Sequence, residues 1–115
     1  KKSWVVGVKA GNASKAYDWN ELKRKRLIAD TIGETHILLV LASDNKSFFA
    51  FEQPDTENTF TVHNDTLLYR NHAYSLNGKG MDTAFSLKPL PAYQEFWHSW
   101  QTFQPETQRF GKRSK

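Results

Sequence analysis

One segment, from Thr35 to Phe51, contains two apolar runs around a polar turn and reads THILLVLASDNKSFFAF. The first run, Ile37 to Leu41, is too short to cross a membrane and carries no alternating polar residues, so it predicts a strand buried on both faces. The second run, Phe48 to Phe51, supplies its partner strand. The turn between them, Asp44 to Lys46, contains residue types that favour a chain reversal. We therefore predict a central β-hairpin.

The composition fits one small globular domain. A chain of 115 residues can bury roughly two-thirds of the surface that it exposes when unfolded. The absence of cysteine excludes disulfide bonds and thiolate metal sites but is compatible with oxidising and reducing compartments alike. No signal-peptide core, membrane-spanning segment or initiating Met is present, so we expect a piece of a longer protein, one that can carry a membrane anchor elsewhere.

Charge is distributed unevenly along the chain. The formal charge is +6 from Lys1 to Arg26, −6 from Leu27 to Gln108 and +4 from Arg109 to Lys115. A net acidic body with basic ends fits poorly with a groove for duplex nucleic acid, which would need clustered cations. The Lys23 to Arg26 run favours a solvated helical turn over a phosphate site, because four consecutive residues cannot share one helical face.

The first third of the chain predicts a hairpin, a short helix and a strand. Trp4 to Ala10 alternates, Gly11-Asn12 marks a turn, and the chain returns through Lys15 to Trp19. Asp18 has capping-box spacing to Glu21 and predicts a helix from Asn20 to Arg26. Leu27 to Ile32 then predicts a strand that leads into the central hairpin.

The second half predicts further short strands and then a helix. Strands are expected at Thr59 to His63, Thr66 to Arg70, Ala73 to Leu76 and, after the Asn77 to Gly80 turn, Ala84 to Lys88. Pro89 and Pro91 should end the strand region, and a helix from Ala92 to Gln104 should follow. The aromatic side chains of that helix recur at helical spacing and should cover the central hairpin; they are Tyr93, Phe96, Trp97 and Trp100.

The expected architecture is mainly β (α+β). We predict a single small antiparallel β-sandwich or partly open barrel of about seven strands in residues 1–110, with the C-terminal helix packed on it. Residues 111–115 form a basic tail.

Three stretches, in order, resemble a bacterial domain family of unknown function, numbered 3179. Asp30 to Gly33 resembles the family's Asn-Asp-x-x-Gly-Gly-x-Pro segment, with departures at Ala29, Glu34 and His36. The turn from Ala42 to Ser47, followed by Ala50-Phe51, resembles a strand, turn and strand that often begins with Cys-Pro in the family. Trp97-x-x-Trp100 and Pro105-x-Thr107 resemble its closing motifs.

The resemblance implies a setting but no reaction. Family members look like extracytoplasmic or membrane-associated bacterial proteins, which implies a periplasmic or cell-envelope location. Ala42-Ser43 stands where relatives can carry Cys-Pro, so a thiol role is not available to this chain. The same turn therefore becomes the candidate ligand-binding site, with Ser43, Asp44, Asn45 and Lys46 as its residues.

A second set of residues could perform catalysis or hold a metal. His63 and Asp65 would share one face of a continuing strand, a geometry suited to metal ligation or acid–base chemistry, with His36 or His72 as a third ligand. Asn64-Asp65 also fits a simple turn. Asp30 could be a site carboxylate or could cap the backbone beside Gly33.

Two function classes follow from these residues. We expect a non-catalytic binding domain of a larger envelope-associated protein, with a protein, glycan or small molecule as its partner and with no cofactor. The alternative is a hydrolase or metal-dependent enzyme that uses His63, Asp65 and Asp30. Nucleic-acid binding through Lys23 to Arg26 and the tail is disfavoured by the charge distribution.

Overall fold

The computed structural model describes residues 4–55, 59–81, 85–96 and 108–110. Within these ranges the chain forms eleven strands and one helix, which confirms the mainly β prediction. The elements are β1 (Trp4–Ala10), β2 (Ala13–Asp18), α1 (Trp19–Lys25), β3 (Leu27–Ile32), β4 (Thr35–Leu41), β5 (Phe48–Glu52), β6 (Thr61–His63), β7 (Thr66–Tyr69), β8 (His72–Ser75), β9 (Lys88–Leu90), β10 (Ala92–Phe96) and β11 (Gln108–Phe110).

The strands form three sheets instead of the expected two-sheet sandwich or partly open barrel. The first sheet has the order β10-β1-β2-β11, the middle sheet β3-β4-β5-β9, and the third sheet β6-β7-β8. All pairs are antiparallel except β11 with β2, and the described strands close no barrel. One unpredicted strand, β10, lies where the sequence predicted a helix, and another, β11, lies after that region.

The predicted central hairpin is confirmed, and β4 is buried on both faces. Its side chains alternate between two separate hydrophobic cores. One core lies between the first and middle sheets and includes Val6, Val8, Tyr17, Leu22, Ile28, Ile32, Ile37, Leu39 and Leu41. The other lies between the middle and third sheets and includes Leu38, Val40, Phe51, Phe60, Leu67, Tyr69, Tyr74 and Leu87.

The short helix α1 connects the first sheet to the middle sheet and agrees with its predicted position to within a residue. The Asp18 carboxylate accepts a hydrogen bond of 3.1 Å from the backbone N–H of Glu21, as the capping-box spacing predicted. Leu22 is fully buried in the core between the first two sheets. The helix ends at Arg26, whose φ of 67° is left-handed.

The prediction of a helix beginning at Ala92 is wrong, because Ala92–Phe96 is a strand paired with β1. Its register places Tyr93 opposite Gly7, and Tyr93 is 41% exposed instead of covering the central hairpin. Aromatic residues three or four apart fit a helix, but a run of five residues cannot distinguish the two periods. Pairing supplies hydrogen bonds to the edge of β1, which a helix would leave unsatisfied. The rest of the predicted helix, residues 97–104, lies outside the described residues, as does the basic tail, residues 111–115.

The two prolines do not end the strand region, and the predicted strand up to Lys88 is displaced toward the C-terminus. Residues 85–87 are not in a strand, whereas Pro89 lies in β9 opposite Phe51. Proline is tolerated there because β9 is at the edge of the described sheet. The side of β9 that faces away from β5 pairs with no strand of that sheet, so a missing N–H there breaks no hydrogen bond between strands. Pro91 then accepts a hydrogen bond of 3.1 Å from the N–H of Lys9, so the chain passes directly from the middle sheet to the first sheet.

Replacement of Gly78 by alanine should destabilise the domain strongly. Gly78 has a φ of +92°, and an added Cβ would lie 2.5 Å from the Phe51 ring in the second core. Gly11 is a matched control, because its φ is +62° but an added Cβ would meet no atom within 4 Å. Backbone strain alone costs about 1–2 kcal/mol in such a position. We expect Gly78→Ala to lower the free energy of unfolding, measured in urea, by at least about 1 kcal/mol more than Gly11→Ala. Equal losses would contradict the clash with Phe51.

Candidate functional site

The turn that joins β4 to β5 is exposed from Ser43 to Ser47 and closes without a glycine. The Ala42 N–H donates to the Ser47 carbonyl at 2.8 Å, and the Asn45 N–H donates to the Ala42 carbonyl at 3.0 Å. Asn45 has a left-handed φ of 60°, a conformation that asparagine tolerates better than most residues. This choice of residue explains how the predicted reversal forms.

The Asp44 carboxylate holds the far side of this turn. It accepts hydrogen bonds from the backbone N–H groups of Lys46 at 2.8 Å and Ser47 at 2.9 Å, and from the Ser47 hydroxyl at 2.8 Å. These bonds, first among them the one from the Ser47 backbone, hold the pKa of the Asp44 carboxyl below its ordinary value. The charged carboxylate is therefore part of the structure of the turn.

Asp65 reaches the same turn from the third sheet. Its carboxylate accepts a bond of 2.8 Å from the Ser43 backbone N–H and another of 2.8 Å from the Ser43 hydroxyl. Asn64 and Asp65 both have left-handed φ values, 50° and 61°, and form the tight turn between β6 and β7. Two groups of residues that the sequence analysis treated separately, the Ser43 turn and Asp65, thus meet in one place.

Arg26 binds the turn from a third direction. Its guanidinium donates to the Ala42 carbonyl at 3.2 Å and to the side-chain oxygen of Asn45. Its backbone carbonyl accepts a bond of 2.9 Å from the Leu41 N–H. This contact was not predicted, since nothing in the basic run distinguishes Arg26 from its neighbours. We call the surface made by Arg26, Ser43 to Ser47 and Asp65 the turn surface.

Several ammonium groups lie exposed on the elements that form the turn surface. Lys23 and Lys25 are exposed on α1, as the solvated-helix interpretation predicted, and Lys46 is exposed in the turn itself. Within the described part of the chain these three side chains form no hydrogen bond or ion pair, whereas Arg24 is paired with Glu21. These three lysines and Arg26 outnumber the Asp44 and Asp65 carboxylates, so the turn surface and α1 together carry a net positive charge.

Asp30 does not join the turn surface and does not cap the backbone beside Gly33. Its carboxylate forms an ion pair of 2.6 Å with Lys15 and accepts a bond of 3.1 Å from the Tyr17 hydroxyl, which ties the middle sheet to the first. Burial, followed by the nearby Asp30 charge, raises the pKa of Tyr17 well above its ordinary value. Asp30 pairs with Ile37 in β4, whereas Asp65 binds the chain beyond Leu41. Four strand steps at about 3.3 Å each separate those positions by about 13 Å.

The histidines proposed as metal ligands are also dispersed. His63 ends β6 and is exposed, but Asn64 and Asp65 turn the chain instead of continuing the strand, so the simple-turn interpretation holds. His36 lies near the start of β4, with Nδ1 3.0 Å from the Thr31 hydroxyl, and His72 starts β8 at the opposite end of the third sheet. Across the described residues, no three His, Asp or Glu side chains form a group that could hold a metal ion.

These features define a mainly β domain of three stacked sheets with an exposed, internally bonded polar turn at one end of its central hairpin. Residues 1–107 match the model of one family, described as Protein of unknown function (DUF3179), and the chain belongs to that family. Comparison with curated proteins gave no match, and comparison with solved structures gave none. The resemblance inferred from the three sequence stretches is thereby confirmed.

The described helical structure contains no candidate for a membrane span. The helix α1 has seven residues, and no helix in the described ranges is long and apolar enough to cross a bilayer.

Replacement of Asp44 by asparagine should destabilise the domain at neutral pH but not in acid. The amide keeps the shape of the side chain but loses the charge that strengthens its hydrogen bonds. Because the folded pKa of Asp44 is lowered, its contribution is present above the ordinary aspartate pKa of about 3.9 and is lost as the pH falls through the folded value. We expect the parent to unfold at higher urea concentration than Asp44→Asn at pH 7, with the gap closing as the pH falls below the ordinary aspartate pKa. A gap independent of pH would contradict a structural role for the charge.

Proposed function

We propose that this domain is a non-catalytic binding module of a larger, envelope-associated protein and that the turn surface contacts its partner. The observation that carries the proposal is the bonding of one exposed turn by side chains from two other elements, Arg26 after α1 and Asp65 between β6 and β7. Hydrogen bonds from other elements are not needed to form an exposed turn. Their effect is to hold the turn in one conformation.

A turn held in one conformation is suited to recognition. Ordering a flexible side chain when a complex forms costs about 0.5–1.5 kcal/mol. At the turn surface, Ser43, Asp44 and Asn45 are already ordered by bonds within the chain. A partner would therefore meet a surface whose polar groups need little further ordering.

The charges of the surface indicate the chemistry of the partner. Asp44 and Asp65 each accept hydrogen bonds from the chain itself, whereas the ammonium groups of Lys23 and Lys46 are exposed and form no ion pair or hydrogen bond in the described structure. An acidic group on a protein, a glycan or a small molecule would complement them. Charges of this kind act mainly on the rate and selectivity of association.

The envelope setting is supported by the family resemblance. The alternative of a hydrolase or metal-dependent enzyme has no comparable support, because Asp30 is bonded to Lys15 and Tyr17 at the other end of β4 from Asp65. We therefore place the function at the turn surface.

Photo-crosslinking in cells that produce the full-length protein tests the proposal. Benzoylphenylalanine replaces Lys25, next to the turn surface, and the crosslinked species is identified by its mass as protein, glycan or small molecule. We expect one adduct in the envelope fraction, with a yield that falls at least about tenfold when Lys46→Glu reverses one charge. Ser43 and Asp44 are less suitable for this test, because their side chains hold the turn together.

Lys88→Glu is the matched control. Lys88 is also exposed, but it lies opposite Glu52 in β9, at the other end of the middle sheet from the turn surface, and the same charge reversal there should leave the adduct unchanged. Absence of any adduct, or equal loss with both variants, would exclude the turn surface as the binding site. An adduct recovered only from the cytosolic fraction would contradict the envelope setting.

A further inference from the structure

A concave surface, distinct from the turn surface, lies on the outer face of the third sheet. It is an open depression of about 520 Å³, within the range of about 300–1,000 Å³ that is typical of small-molecule sites. Arg70, which lines it, follows β7, whereas Asp65 of the turn surface precedes the same strand. The depression is therefore separate from the turn surface.

The register of the third sheet places polar and apolar side chains side by side on its outer face. Thr61 of β6, Leu68 of β7 and Ala73 of β8 are cross-strand neighbours, while Leu67 and Tyr69 point into the second core. Leu68 is 42% exposed, which is unusual for a leucine in the middle of a sheet. The row thus offers an apolar patch flanked by a threonine hydroxyl.

Arg70 occupies a conformation that arginine rarely adopts. Arg70 and Asn71 form the turn between β7 and β8 with φ values of 52° and 67°. Asparagine is common in such turns because it tolerates a positive φ, whereas for arginine the left-handed conformation is unfavourable. Unfavourable backbone conformations tend to persist where a site requires them. In this case the result is that Arg70, which carries a guanidinium, lines the depression.

Neighbouring residues orient that guanidinium. Asp55 lies 3.8 Å from it and also accepts a hydrogen bond from the Tyr69 hydroxyl. The Tyr69 ring is in turn stacked on Phe60, with ring centroids 4.4 Å apart. Arg70 itself remains 60% exposed, so its outer N–H donors are accessible. The depression is therefore supported by the stacked Tyr69 and Phe60 rings and has one accessible guanidinium, that of Arg70.

From these groups we infer that the depression binds a carboxylated sugar, such as a uronic acid. The Arg70 fork matches a carboxylate in a bidentate geometry. The hydroxyls of Thr59 and Thr61 and the amide of Asn71 match sugar hydroxyls, and Leu68 matches the apolar C–H face of the ring. The nearby Asp55 charge favours a singly charged carboxylate over a doubly charged phosphate.

Titration of the isotope-labelled domain with glucuronic acid, followed by amide NMR shifts, tests the inference. We expect the shifts to be confined to residues 59–73 of the third sheet, and glucose, which lacks the carboxylate, to bind at least about tenfold more weakly. Glucose 6-phosphate should bind more weakly than glucuronic acid.

Arg70→Asn removes the guanidinium while favouring the left-handed turn, so this variant should melt no lower than the parent. It should weaken glucuronic acid binding at least about tenfold. Lys79→Gln removes one positive charge outside the depression and should bind like the parent. Absence of localised shifts in the parent, equal binding of glucose, or unchanged binding by a folded Arg70→Asn variant would each overturn the inference.

Discussion

The side chains of β4 enter two different cores, and the rest of the domain depends on that alternation. Ile37, Leu39 and Leu41 lie in the core between the first and middle sheets. Leu38 and Val40 lie in the core between the middle and third sheets. Each such side chain contributes about 1.5–3 kcal/mol when it is fully buried. A shift of β4 by one residue would exchange the two sets, so its register determines how both outer sheets are positioned.

The same strand explains why the candidate site lies where it does. The end of β4 is fixed on both faces, so the turn that follows it leaves the core at a defined point. Arg26 arrives there because β3 pairs with β4, and Asp65 arrives because the third sheet covers the opposite face. The polar bonds of the turn surface are consequences of the apolar packing beneath it, and they join the hairpin end to the two segments that surround it.

The parts of the structure that could be predicted are those determined by residues close together in the sequence. The apolar run of β4 predicts a buried strand, and the spacing of Asp18 to Glu21 predicts a helix start. The strand Ala92–Phe96 could not be recognised, since its pairing with β1 is determined by a segment more than 80 residues earlier. The contact of Ser43 with Asp65 spans 22 residues and depends on how two sheets stack, which neither residue type indicates. The residues of the candidate turn were therefore predictable, but the bonds that organise it were not.

The pairing of β1 with β10 also governs the order in which the domain can be completed during biosynthesis. Val6 lies opposite Gln94, so the outer edge of β1 stays unpaired until the ribosome has delivered the strand that begins at Ala92. Contacts this distant in sequence slow folding, and an open strand edge is prone to pair with other chains in the meantime. The nascent domain consequently passes through an interval in which one edge of its first hairpin is open, and that interval ends only when Ala92–Phe96 pairs with β1.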